Sequence, residues 1–119
     1  MYKSMTTNTM KKLTYKDQQG NIIAEATGKQ IHEAEGNYYL DPDTVKLDQL
    51  AMVPNSYHCP IKNSDADYYY LKDENGEPVG QEACWLYKSI PAEEFKHIEG
   101  KVGFYPRSTA TLTLEESEV

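Results

Sequence analysis

Long apolar runs, paired cysteines, clustered basic residues and helical periodicity are all scarce in this sequence of 119 residues. No stretch approaches the ~18 uninterrupted apolar residues that cross a bilayer. The polar opening from Met1 to Met10 also lacks the apolar core of a secretion signal, so a soluble, cytoplasmic chain with no membrane partner is expected. Cys59 and Cys84 have no C-x-x-C neighbour, and His32, His58 and His97 are dispersed around them. A structural zinc site draws on four closely spaced ligands, so neither metal nor cofactor is expected, and in a reducing compartment both thiols should be free. Basic residues number 12 against 19 acids, a net charge of −7, and Lys11-Lys12 is the only adjacent basic pair. Phosphate backbones repel such a chain, which argues against a nucleic-acid partner. The length suits one domain.

Ten tyrosines, one tryptophan and two phenylalanines are present. They fall in short aromatic and β-branched bursts separated by Gly, Pro, Asn and Asp, the pattern of a mainly β domain built from short strands. Leu13–Lys16 and Asn21–Ala26 flank Asp17-Gln18-Gln19-Gly20, which predicts a hairpin. Lys29–Glu35 should turn at Gly36-Asn37 into Tyr38-Tyr39-Leu40. A short helical turn is expected at Asp41-Pro42, a strand over Val45–Val53, and a break at Pro54-Asn55-Ser56. Asp65–Lys72 and Glu82–Lys88, joined across Asn75-Gly76, should pair antiparallel. Ser89, Pro91, the acids Glu93-Glu94 and the closing Lys96, His97 and Gly100 mark one short helix. Lys101–Tyr105 and Thr109–Leu114 read as closing strands. The folded domain is expected over residues 13–114, with a flexible N-terminal extension at 1–12 and a flexible acidic tail at 115–119.

Chemistry concentrates at His58-Cys59-Pro60-Ile61-Lys62-Asn63. A cation three residues from a thiol favours the thiolate, the nucleophilic form, and Asn63 suits a left-handed turn. Cys59 also reads as a small buried hydrophobe opening a strand. Asp65 and Asp67 share a strand face, but no Gly-rich triphosphate turn precedes them and there is no P-loop, so surface acids are the better account. Tyr68-Tyr69-Tyr70 and Trp85-Leu86-Tyr87 put rings on both faces of one sheet, one face for a core and the other for a pocket floor. His32 and His97 have no partner at triad or ligand spacing and read as solvated.

Several blocks, in order, resemble the DUF427 domain family: Gly20–Glu25, Glu35–Tyr39, Cys59–Asn63 with Ala66–Tyr69, Ala83–Tyr87 and Ile98–Tyr105. The resemblance runs from about Leu13 to Leu114. It implies a small single domain of antiparallel sheets with one or two short helices, similar to the Mss4-like or β-tent folds, whose better-known members hold zinc through two C-x-x-C pairs that are missing here. Ile61 stands where the family usually has an aromatic, Asn63 where it has Gly, and Cys84 where it has a small residue. The family's function is not known, and the residues give no support to the nucleotidyltransferase label attached to it. The leading expectation is a small-molecule-binding domain with a pocket near Cys59 and Lys62. Its ligand would be held by His58, Lys62, Tyr69 and Trp85, and Cys59 would be the nucleophile if the domain is an enzyme. The alternative is a non-catalytic protein-interaction module.

Overall fold

Turn chemistry sets the strand order. In the computed structural model, which describes residues 11–118, β1 (Lys11–Lys16) and β2 (Ile22–Thr27) pair antiparallel. Gly20 supplies a φ of +88° at their turn, and the Asp17 carboxylate accepts the amides of Gln19 and Asn21, both at 2.9 Å. β3 (Ile31–Ala34) and β4 (Asn37–Leu40) meet one residue earlier than expected, at Glu35-Gly36. Both turn residues have positive φ, +52° and +81°, the geometry of a two-residue hairpin turn. β6 (Ser64–Lys72) and β7 (Pro78–Tyr87) pair around Asn75-Gly76, as the sequence predicts. β5 (Ala51–Cys59), β8 (Val102–Phe104) and β9 (Thr113–Glu118) complete the strands among the described residues. They form a three-stranded sheet ordered β2-β1-β9 and a six-stranded sheet ordered β3-β4-β8-β7-β6-β5, with every pairing antiparallel. The mainly β expectation holds.

Four local expectations need correction. The capping pattern after Pro91 yields a single 3₁₀ segment, Glu93–Ile98, rather than an α-helix. Six residues with one buried side chain, Ile98, offer too little packing to stabilise longer helical ladders. Val45–Val53 is not one strand, because Leu47–Gln49 forms a 3₁₀ turn and β5 starts only at Ala51. Pro54-Asn55-Ser56 does not break the chain but forms a bulge inside β5 between Val53 and Tyr57. That strand lies at the edge of its sheet, where a proline withholds no ladder bond. Asn55 takes a φ of +51°, and its amide donates to Asp67 Oδ1 at 2.9 Å. Finally, Lys11 and Lys12 lie within β1 and Glu115–Glu118 within β9, so neither stretch is a loose terminus. Their order comes from the backbone ladder, Lys11 opposite Glu118 through Lys16 opposite Thr113, with Lys16 Nζ 3.2 Å from Glu115 Oε2. Apolar burial, the sole criterion for calling them tails, plays little part. Residues 1–10 and 119 lie outside the described residues.

The six-stranded sheet carries packing on both faces. One face meets the small sheet, burying Leu13, Tyr15, Ile23, Leu40, Cys84 and Phe104. On the other, Tyr39, Cys59, Ala66, Trp85 and Tyr87 are covered by the segment carrying Ile90 and Ile98. Alternation along each strand makes this division: Cys84 faces the first cluster and Trp85 the second, as do Leu40 and Tyr39. Gly103 lies opposite both Tyr39 and Trp85 in the ladder. A Cβ there would come within 2.7 Å of the Tyr39 ring and nearer still to the Trp85 indole, so only glycine lets the two rings close over β8.

Gly103→Ala should therefore lower stability by roughly 1–3 kcal/mol, the usual cost of overpacking. Urea unfolding would register this as a lower midpoint with an unchanged slope. A wild-type midpoint would mean that the two rings withdraw freely.

Candidate functional site

The second face is only partly covered, and an open cleft of about 270 Å³ remains on it above Cys59 and Lys62. β5 brings Tyr57 and Cys59 to the cleft, and β6 brings Tyr68. β4 contributes Tyr39, β7 contributes Trp85 and Tyr87, and Tyr105 follows β8. The rings fix one another. The Trp85 indole N–H donates to Tyr39 Oη at 3.1 Å, with the two rings edge to face at 6.2 Å. Tyr105 packs edge to face on the other side of Trp85 at 4.9 Å. Burial raises the Tyr39 and Tyr87 phenols above the ordinary tyrosine range, in Tyr87 with the Cys59 thiol as an added cause. Both are neutral donors at physiological pH.

Lys62 is the anomaly of the site. Its side chain is only 3 % exposed, yet it carries an ammonium. Asn63, at a φ of +50°, makes the turn that folds Lys62 back under Cys59. The ammonium lies 4.9 Å from the Phe95 ring centroid and 5.2 Å from that of Tyr87, donates to Glu35, and stands 3.8 Å from Cys59 Sγ. Desolvation is the largest single influence and works against its charge, but the bond to Glu35 and the Tyr39 and Cys59 groups nearby together outweigh it. Lys62 is therefore held above the usual lysine range and stays charged at neutral pH.

Of the residues expected at the site, Cys59, Lys62 and Trp85 come together and His58 and Tyr69 do not. His58 points to the opposite face of β5, where its Nδ1 lies 2.7 Å from Asp65 Oδ1. It lines a second open cleft, of about 470 Å³, with Asp65, Asp67 and Lys88. Tyr69 packs against the first core cluster, and Tyr68 takes the cleft position in its place. The reason is a register irregularity. Continuing the pairing of Lys72 with Pro78 residue by residue would set Trp85 opposite Asp65, on the face of Tyr69. An irregularity between Tyr69 and Leu71, with Gly80 at a φ of +76°, instead sets Trp85 opposite Tyr68. Cys59 satisfies both readings of it, since it belongs to the buried cluster and also lines the cleft. Both cysteines are free.

Asp65 and Asp67 do share a face. The Asp67 carboxylate is buried, with Oδ1 holding the Asn55 amide and Oδ2 3.2 Å from the exposed Lys88 ammonium, in ion-pair range without a hydrogen bond. It staples the β5 bulge. Among the described residues no group of three or more His, Cys, Asp or Glu is placed to hold a metal ion. His32 and His97 are not free of partners: His32 Nε2 lies 2.8 Å from Asp41 Oδ1, and His97 Nε2 lies 2.9 Å from the Glu33 carbonyl. Sequence reading missed Glu35, Tyr39 and Tyr105 as cleft residues, and the only signal for these three was the Glu35–Tyr39 and Ile98–Tyr105 blocks of the family resemblance. Tyr87 stands in the Trp85-Leu86-Tyr87 burst, whose pattern marks rings for a core or a pocket floor without choosing between them.

A family model described as a domain of unknown function, DUF427, matches residues 9–115. No curated protein and no solved structure matches the chain. No helix among the described residues is long and apolar enough to cross a membrane.

Two outcomes follow from this geometry. A small alkylating reagent applied to the native protein should modify Cys59 well before Cys84, whose thiol burial pushes far up. Peptide mapping by mass spectrometry would read the order, and equal rates would contradict the cleft. Tyr105 donates to Glu82 Oε2 at 2.6 Å, and this bond, with burial, pushes its phenol up to about 12. A raised folded-state value means the contribution is complete below the unfolded value of about 10 and is lost as pH rises from there through 12. The stability difference between wild type and Tyr105→Phe should therefore shrink across that window, and a constant difference would exclude the Tyr105–Glu82 bond as its source.

Proposed function

We propose that this chain, which belongs to the DUF427 family, is a small-molecule-binding domain whose ligand lies in the aromatic cleft above Cys59 and Lys62. One observation carries the reading: a charged lysine buried at the floor of a ring-lined cleft. Packing alone would be served as well or better by an apolar side chain of similar volume, whereas a cleft with few fixed polar groups among aromatic walls is the usual form of a ligand site. Binding is favoured over catalysis. Cys59 has a cation beside it but no histidine base, since His58 faces away. Two free thiols suit a reducing, cytoplasmic setting.

A protein-interaction module is the second reading, and the exposed Tyr57 and Ile61 at the cleft rim favour it. Small neutral rings separate the two. Trp85 is the only tryptophan and forms a wall of the cleft, so its fluorescence reports directly on occupancy. Phenol and benzyl alcohol should quench it saturably, with affinities in the millimolar range typical of such fragments, and should slow alkylation of Cys59. Tyr68→Ala should weaken both effects. Absence of quenching and of protection up to the solubility limit would remove the binding reading.

A further inference from the structure

We infer that the ligand of this cleft is a planar or aromatic carboxylic acid, and that its carboxylate replaces that of Glu35 on the Lys62 ammonium. This rests on the binding reading above and specifies its chemistry. The two partners of the Lys62–Glu35 pair are unequally held. The lysine side chain is 3 % exposed and the glutamate 36 %. The ammonium cannot leave without surrendering Phe95, Tyr87 and Cys59, whereas the glutamate can swing into water at little desolvation cost.

Glu35 also comes from a distant part of the chain, 27 residues before Lys62. It occupies the first central position of the β3–β4 turn with a φ of +52°, a conformation that glycine, asparagine and aspartate adopt far more readily than glutamate. The carboxylate therefore reaches the ammonium from a turn that local preference does not explain, and its role there is that of a built-in occupant of an anion position.

The remaining cleft chemistry selects among ligands. A cation would have to share the cleft with a buried ammonium, an unfavourable pairing at low dielectric. A neutral ring would leave the Lys62–Glu35 pair in place and gain only stacking. An acid gains both, since its charge compensates Lys62 once Glu35 has moved away while its ring lies among Tyr57, Tyr68 and Trp85. The Tyr39 oxygen already accepts from Trp85, leaving its own O–H to donate to a carboxylate oxygen. Among the described residues Lys62 is the only basic side chain lining this cleft, so one negative charge is matched and two are not.

Benzoate, benzamide and benzylamine share a ring and differ in charge. Titrated into the full chain with Trp85 fluorescence as readout, benzoate should bind about tenfold more tightly than benzamide, since one carboxylate replaces another on Lys62 and the charge-assisted bond from the Tyr39 O–H is the net gain, and benzylamine most weakly. Glu35→Gln removes the internal competitor. It should tighten benzoate several-fold, change benzamide by less than that, and let benzoate raise the melting temperature of the variant more than that of wild type. Lys62→Gln should abolish the preference for the acid. Benzamide or benzylamine binding as tightly as benzoate, or Glu35→Gln weakening benzoate, would overturn the carboxylate assignment while leaving the binding site standing. Failure of all three to change Trp85 fluorescence would overturn the site as well, and the wild-type titration decides this even if a variant does not fold.

Discussion

The buried ammonium of Lys62 sets the terms for everything around it. A charge in a protein interior survives only with a partner and a polarisable surround. Lys62 obtains these from separate parts of the chain: a carboxylate from the β3–β4 turn, a ring from β7, a ring from the Glu93–Ile98 segment and a sulfur from the end of β5. These elements must converge for the charge to be tolerated, and their convergence makes the floor of the cleft. The position of the cleft follows from an electrostatic requirement as much as from packing.

Alternation along strands supplies the second constraint. Because successive side chains point to opposite faces, β7 serves both halves of the molecule at once, with Cys84 sealed between the sheets and Trp85 turned to the cleft. The two bulges affect this alternation differently. The one in β5 shifts the register by an even count and preserves the face assignment, so Met52 and His58 still share a face with their partners on β6. The one between β6 and β7 shifts it by an odd count and exchanges the faces. Tyr68 reaches the cleft because of that exchange.

This accounts for what could be read in the sequence. Hairpins marked by Gly20 and Asn75-Gly76 were legible because the information is local, a residue able to hold positive φ between two β-rich runs. Cys59 and Lys62 were legible together because they stand three positions apart and the turn-forming Asn63 follows at once. Tyr69 was the wrong ring because a bulge leaves no clear mark on the strand opposite it. His58 was excluded by the same alternation that brings Tyr57 and Cys59 inside. Glu35 was visible as a turn residue but not as the partner of Lys62, since nothing in the intervening sequence joins them. β9 was hidden because its order comes from main-chain pairing with β1, and composition is silent about that.

The proline within β5 has a consequence beyond geometry. Among the described residues β5 ends the six-stranded sheet and no strand pairs with its outer side, with Met52, Val53 and Tyr57 exposed along it. An apolar, extended edge of that kind invites another chain to add a strand and begin aggregation. Pro54 removes a donor in the middle of the edge, and the bulge anchored by Asp67 bends it, so an incoming strand would find no uninterrupted run of donors and acceptors. The chain keeps its aromatic surface available at the cleft without offering a sticky border beside it.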